Sequence, residues 1–334
     1  MKLNNIFKYS LLTSLALLLA ACLGKKSDDS AEFRKMEGLV WNTSYHVTYQ
    51  SERPLDDSII SVLDRVGKNL SVFDSSSLVS KVNAQDSTPV NTDFIRVYIM
   101  SVKINKASDG AFDPTLSPAI DAWGFGKGHK VTADTARIDS IMQFIGISKT
   151  RLSHDALVKD DIRIRFNFSA IAKGYGCDAV AEMLRDNGVE NFLVEIGGEI
   201  MARGKSPSGD KWRISVDRPI LSADREIHES QSVIAFTDMG VATSGNYRNF
   251  HSENGEVFGH TISATTGRPA RTDILSATVL AKTAMEADGL ATAYMAMGSE
   301  KAIRLNKSMK LPAMFVLADS TVWMSPQFEK LIAE

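Results

Sequence analysis

The sequence predicts an α+β fold of mixed sheets and helices. Stretches with apolar residues at helical spacing, such as Ile59, Val62, Leu63, Val66 and Leu70, stand beside runs rich in β-branched and aromatic residues, such as 40–49 and 192–196. The two kinds do not alternate as regular βαβ units, which argues against a doubly wound parallel sheet. No internal repeat divides the chain.

The elements follow in order. Residues 40–49 read as a first strand, and 59–70 and 94–107 as helices. Ile138, Ile141, Met142 and Ile145 mark a short helix closed by Gly146. A longer helix spans 171–187 and stops at Gly188, a residue suited to the left-handed turn after a helix. Residues 192–196 form a strand ended by Gly197-Gly198. Strands are expected at 212–216, 232–237 and 275–281, and the polar, turn-rich stretch 206–229 as a peripheral excursion. Thr283, with Glu286 three residues later, is a capping box that opens a helix running to Gly298. A helix at 301–308 and strands at 313–317 and 321–324 complete the chain.

The N-terminus reads as an export signal. Lys2 and Lys8 precede an apolar run of about eleven residues, 11–21, far short of the roughly 20 that span a bilayer. The run ends in Leu19-Ala20-Ala21-Cys22, small residues before a cysteine that resemble a bacterial lipobox. An ordinary signal peptide followed by a chance cysteine is the alternative. The expected organisation is a signal peptide at 1–21, a polar tether at 22–37 too hydrophilic to bury itself, and one domain at 38–334. Acylation of Cys22 would hold the protein on a membrane, outside the cytoplasm, in the bacterial cell envelope.

Composition narrows the function. A hydrophobic fraction of 44% and a charged fraction of 23% are ordinary for a globular chain, and about 310 residues after Cys22 suffice for a large core. A net charge of −2, with no stripe of Lys and Arg, argues against nucleic-acid binding. With Cys22 given to the anchor, Cys177 has no partner for an intrachain disulfide and reads as core. No His and Cys cluster has zinc spacing.

Four segments have the composition of a binding site. In Gly110-Ala111-Phe112-Asp113-Pro114-Thr115, followed by Trp123-Gly124-Phe125-Gly126, glycines permit close approach and aromatics can pack on a planar ligand; a turn with core aromatics is the simpler reading. In 167–175 a short strand enters a helix start that suits phosphate. Lys173 there opposes the helix dipole, so it serves either a phosphate partner or solvent. Residues 240–248 alternate glycines with hydroxyls, and His260 follows in Gly259-His260-Thr261-Ile262 as a candidate base or a structural histidine. Asp288 and Thr292 share one helix face, an oxygen pair suited to Mg²⁺, although an Asp near a helix start is also common for dipole reasons.

At these residues the sequence resembles the ApbE family of FAD:protein FMN transferases. The resemblance runs from about Gly38 to Gly298. Gly110 to Asp113 with Trp123 to Gly126 resembles one family block, and Ser169 to Tyr175 a second. Val194 to Gly198 resembles its strand ending in paired glycines, Val241 to Tyr247 its Ala-Thr-Ser-Gly block, and Ala287 to Thr292 its metal block. The resemblance implies two lobes with a flavin site between them. It implies Mg²⁺-dependent transfer of FMN from FAD to a Thr or Ser hydroxyl of a target protein, with AMP released. The expected targets are flavoprotein subunits of membrane redox complexes. By the same match, Asp288, Thr292 and the backbone carbonyls of Ala170 and Ala291 hold Mg²⁺. Trp41, Asn42, Phe73, Ala111, Phe112, Asp113, Asn167, Lys173 and Ile262 line the FAD site, and His260 is the base. Trp41-Asn42-Thr43 replaces a frequent Met-Gly-Thr, Phe73 a frequent Tyr, Asn167 a frequent Asp, and Ser263-Ala264 a frequent Asp-Pro. An FAD pyrophosphatase and a non-enzymatic FAD-binding lipoprotein are the alternatives.

Overall fold

The computed structural model describes residues 31–126, 131–219, 230–245, 250–253, 256–259 and 261–333. The signal stretch with Cys22, residues 220–229 of the polar excursion, and His260 lie outside the described residues. The chain opens with β1 (Phe33–Val40) and β2 (Thr43–Gln50), then α1 (Asp56–Leu70), α2 (Leu78–Ala84), β3 (Ser87–Pro89) and α3 (Thr92–Ala107). Next come α4 (Ser117–Ala122), α5 (Thr135–Met142), β4 (Thr150–Ser153), β5 (Ala156–Lys159) and α6 (Ala172–Asp186). Strands β6 (Phe192–Ile196), β7 (Glu199–Arg203), β8 (Trp212–Asp217), β9 (Ser230–Phe236) and β10 (Met239–Gly245) follow. After β11 (Phe250–Glu253), β12 (Glu256–Gly259) and β13 (Ile274–Ala281) come α7 (Ala284–Met297), α8 (Ser299–Met309), β14 (Ala313–Leu317), β15 (Val322–Met324) and α9 (Pro326–Glu329).

Eight strands form one sheet in the order β1-β2-β6-β7-β10-β13-β14-β15, every neighbour antiparallel. The α+β expectation holds. Successive strand residues point to opposite faces, and β7 shows where they go. Met201 joins a cluster with Tyr45, Val47, Leu63, Val180 and Leu184, on the side of α1 and α6. Its neighbours Ile200 and Ala202 join Trp212, Ile234, Phe236 and Phe328 on the other side. Both faces are therefore covered, and β13 is buried along nearly its whole length rather than on alternate residues. A third cluster packs Phe94, Phe166, Phe168, Leu290, Tyr294 and Phe315 around α3 and α7.

Two expectations need correction. The single strand read at 40–49 is two strands joined at Trp41-Asn42, with Val40 opposite Thr43. Both turn residues have positive φ, 49° and 61°, as a two-residue hairpin loop demands. The indole of Trp41 pins the turn between two helices. A Cβ on Gly67 of α1 would lie 2.7 Å from its Nε1, and one on Gly176 of α6 would lie 2.6 Å from its ring. Residues 33–37, read as tether, belong to β1, because each pairs with a residue of β2. The short elements α2, α4, β3, β4 and β5 carry too few residues for a periodic signal and were not anticipated.

Candidate active site

The local chain explains how the side chains reach one place. Phe166 and Phe168 are fully buried in the aromatic cluster, with Phe94 and Phe168 centroids 5.3 Å apart. Asn167 and Ser169 alternate with them and line a cleft of about 1190 Å³. Asn167 Oδ1 accepts the Ser169 N–H at 2.9 Å, which shapes the entry to α6. Helix α6 has no side-chain cap from its own flank. The Gly174 N–H instead donates to Asp288 Oδ2 of α7 at 3.0 Å. That contact requires the backbones to touch: a Cβ on Gly174 would stand 2.4 Å from the Ala284 carbonyl oxygen.

Of the sequence-predicted residues, Trp41, Asn42, Phe73, Ala111, Phe112, Asp113, Asn167, Ala170, Lys173, Ile262, Asp288 and Thr292 line this cleft. Ala291 is fully buried in α7 and is not among the lining residues. His260 lies outside the described residues, but its neighbours Thr261 and Ile262 line the cleft. Phe73 is 63% exposed, an open aromatic edge of the cleft. Asp113 is committed to its own loop: its carboxylate accepts from Thr115 N–H at 2.8 Å, Thr115 Oγ1 at 2.6 Å and Ile147 N–H at 2.9 Å. Burial raises its pKa against the pull of those donors.

The chemically dense part is a charge group of two buried carboxylates and a half-buried lysine. Lys173 Nζ pairs with Glu199 Oε2 at 2.5 Å and also donates to the Gly197 carbonyl at 3.4 Å. Glu199 and Asp288 are 2% and 3% exposed. Two buried carboxylates thus face one ammonium, Glu199 paired with it and Asp288 acting on it through its charge. Burial pushes Glu199 up to about 8, with Lys173 opposing and Asp288 adding to the rise. Burial also raises Asp288, against Lys173 and the Gly174 amide. Burial disfavours the Lys173 cation, but Glu199 and Asp288 outweigh it and hold its pKa above the ordinary lysine value. With both acids ionised the group carries one negative charge more than its ammonium offsets, and below about pH 8 a proton on Glu199 fills that place. Beside it, Thr292 Oγ1 and Ser244 Oγ lie 3.2 Å apart. One carboxylate, two hydroxyls and the nearby Ala170 backbone make a hard-oxygen set, which suits Mg²⁺ completed by substrate phosphate and water. Among the described residues no group of three or more His, Cys, Asp and Glu offers a rival metal site.

Sequence reasoning missed several residues of the cleft. Glu199 was hidden behind the paired glycines; a charged residue opening a strand whose next three residues are apolar was its only signal. Ile214, Ser215, Val216 and Asp217 of β8 form a wall that belonged to the supposed peripheral excursion. Thr243 and Ser244 sit on β10, in the hydroxyl-rich segment already noted.

Known proteins resemble this chain over nearly all its length. The FAD:protein FMN transferase of Haemophilus influenzae is 32% identical over 338 residues, covering 95% of both chains. That of Vibrio cholerae is 33% identical over 312 residues, covering 90% of this chain and 91% of its own. Among solved structures, the flavin transferase ApbE from Vibrio cholerae superposes with a TM-score of 0.80 at 31% identity, covering 90% of this chain and 99% of its own. The family model for the ApbE family matches residues 41–315. The chain belongs to the ApbE family.

Proposed function

We propose that this protein is an FAD:protein FMN transferase whose reaction runs at the Lys173, Glu199, Asp288 and Thr292 group. The observation that carries the reading is that group itself, two buried carboxylates facing one ammonium beside paired hydroxyls in a cleft large enough for a dinucleotide. FAD is the substrate. The acceptor Thr or Ser oxygen forms a bond to the FMN phosphorus. The bond from that phosphorus to the bridging oxygen breaks, and AMP leaves with that oxygen. The acceptor proton passes to a base, for which His260 is the candidate.

Each residue has a task that its chemistry fits. The Lys173 ammonium stays charged beside the phosphates and offsets charge as the bridging bond breaks. The rings of Trp41 and Phe73 offer apolar surface to the flavin or adenine, and the nearly buried Phe112 backs the wall. Ala111, Asp113, Asn167 and Ile262 shape the walls. Mg²⁺, held by Asp288, Thr292 and the Ala170 carbonyl, would neutralise charge on the pyrophosphate; Ala291, buried behind the cleft wall, has no place in that set.

The reading extends to location. Removal of 1–21 and acylation of Cys22 would tether the enzyme on a membrane outside the cytoplasm, beside target subunits of membrane redox complexes. Among the described residues, no helix is long and apolar enough to cross a membrane. The test is covalent chemistry. The soluble form beginning after Cys22 is incubated with FAD, Mg²⁺ and a peptide bearing an acceptor Thr, then resolved by denaturing electrophoresis. Flavin fluorescence retained by the peptide is the expected result. AMP release that is indifferent to the peptide, with no labelled band, would make the enzyme a pyrophosphatase instead.

A further inference from the structure

The first turn of α7 carries a contact that the reaction itself does not use. The leading amides of any helix have no acceptor within it. In α7, Thr283 Oγ1 accepts the Glu286 N–H at 3.1 Å. The Ala284 and Met285 amides, the first two of the helix, reach across to α6. They donate to Asp178 Oδ1 and Oδ2, each at 2.8 Å. The Gly174 N–H of α6 donates in the opposite direction, to Asp288 of α7. Each helix therefore supplies a carboxylate to the leading amides of the other.

The packing around this cross-tie leaves no slack. Ala284 is fully buried. A Cβ on Gly174 would lie 2.4 Å from the Ala284 carbonyl oxygen, and a Cβ on Gly240 of β10 would lie 2.1 Å from the Ala284 nitrogen. Ala284, Asp288 and Thr292 are spaced at i, i+4 and i+8, so they share one face of α7 and are separated by about 6 Å of rise per step. The end clamped by Asp178 and the side chains that enter the cleft lie on the same ridge. Lys173 sits on α6, five residues before Asp178, and pairs with Glu199. The relative register of α6 and α7 decides how Lys173 meets Asp288.

We propose that Asp178 is a positioning residue: its carboxylate sets the register of α7 against α6, and so places Asp288 and Thr292 for the divalent cation. This rests on the metal reading above. A carboxylate suits the task because two oxygens face two N–H donors. Asparagine has nearly the same size but turns one acceptor into a donor, so it keeps one bond and loses the other.

The test compares Asp178→Asn with Thr283→Ala, which removes a cap at the same helix end and leaves the cross-tie intact. Melting temperature is measured for the wild type and both variants across a Mg²⁺ titration, without FAD. AMP release in the presence of the acceptor peptide is measured in parallel, with kcat and KM for FAD. The expected result is that Asp178→Asn raises the Mg²⁺ concentration for half-maximal stabilisation on the order of tenfold. It lowers kcat while KM for FAD stays near the wild-type value. Thr283→Ala lowers the melting temperature and leaves the Mg²⁺ midpoint unchanged. If both variants lose melting temperature and neither moves the Mg²⁺ midpoint, Asp178 is only a structural cap and the proposal fails. A wild type that shows no Mg²⁺ response overturns the metal reading, and this inference with it.

Discussion

Lys173, Glu199 and Asp288 define the site through an imbalance of charge. A buried acid with its pKa raised makes the folded state bind protons that the unfolded chain has released. Its contribution to stability is complete below the ordinary glutamate value of 4.5 and is lost as pH rises through about 8. The metal-free protein should therefore lose melting temperature over that interval, and Mg²⁺ should restore more of it at pH 8 than at pH 6. Calorimetry at the two pH values checks this, and equal Mg²⁺ effects would contradict it. Asp288→Asn should remove the excess charge yet keep an acceptor for the Gly174 amide. The variant is expected to fold without metal at least as well as the wild type at pH 8, to lose the Mg²⁺ response, and to release AMP on the order of a hundredfold more slowly. The pairing of Asp288 with Thr292 was legible in the sequence because helix spacing brings i and i+4 together. Glu199 was not, since its role comes from the start of a central strand meeting α6 across 26 residues of chain.

At the scale of elements, the long helices and most strands were legible, because their apolar period survives any tertiary context. What escaped was set by contacts between distant segments. The β1–β2 turn has Trp-Asn where hairpin signals ask for Asn-Gly, and the Trp41 indole lodged against Gly67 and Gly176 supplies the missing preference. This gives a prediction. Gly176→Ala should cost about 1–3 kcal/mol in the wild type, because the new methyl meets the indole. In a Trp41→Met background the same change should cost clearly less. A double-mutant cycle by urea denaturation measures the coupling, and additive costs would show that the ring is not what confines Gly176. The uncapped start of α6 is a second example: its acceptor lies on α7, where no local reading finds it.

Over the whole molecule, one eight-stranded sheet covered on both faces sets the cleft between the hairpin turn of β1–β2, the start of α6, the wall of β8 and the inner face of α7. The α+β class was legible from the absence of βαβ alternation, whereas strand order was not, since β10 and β13 are joined through β11 and β12, outside the main sheet. The export reading makes its prediction at this scale too. The full chain should partition with membranes and the form beginning after Cys22 should stay in the aqueous phase, as detergent phase separation will report; a soluble full chain would refute the anchor. The central claim concerns what the cleft does with FAD. The most direct measurement is AMP release from FAD by wild type and Asp288→Ala, with and without Mg²⁺ and an acceptor peptide. The account predicts AMP only from the wild type, only with Mg²⁺ and peptide together, and one flavin bound to the peptide for each AMP formed. Undiminished AMP release by Asp288→Ala would contradict it.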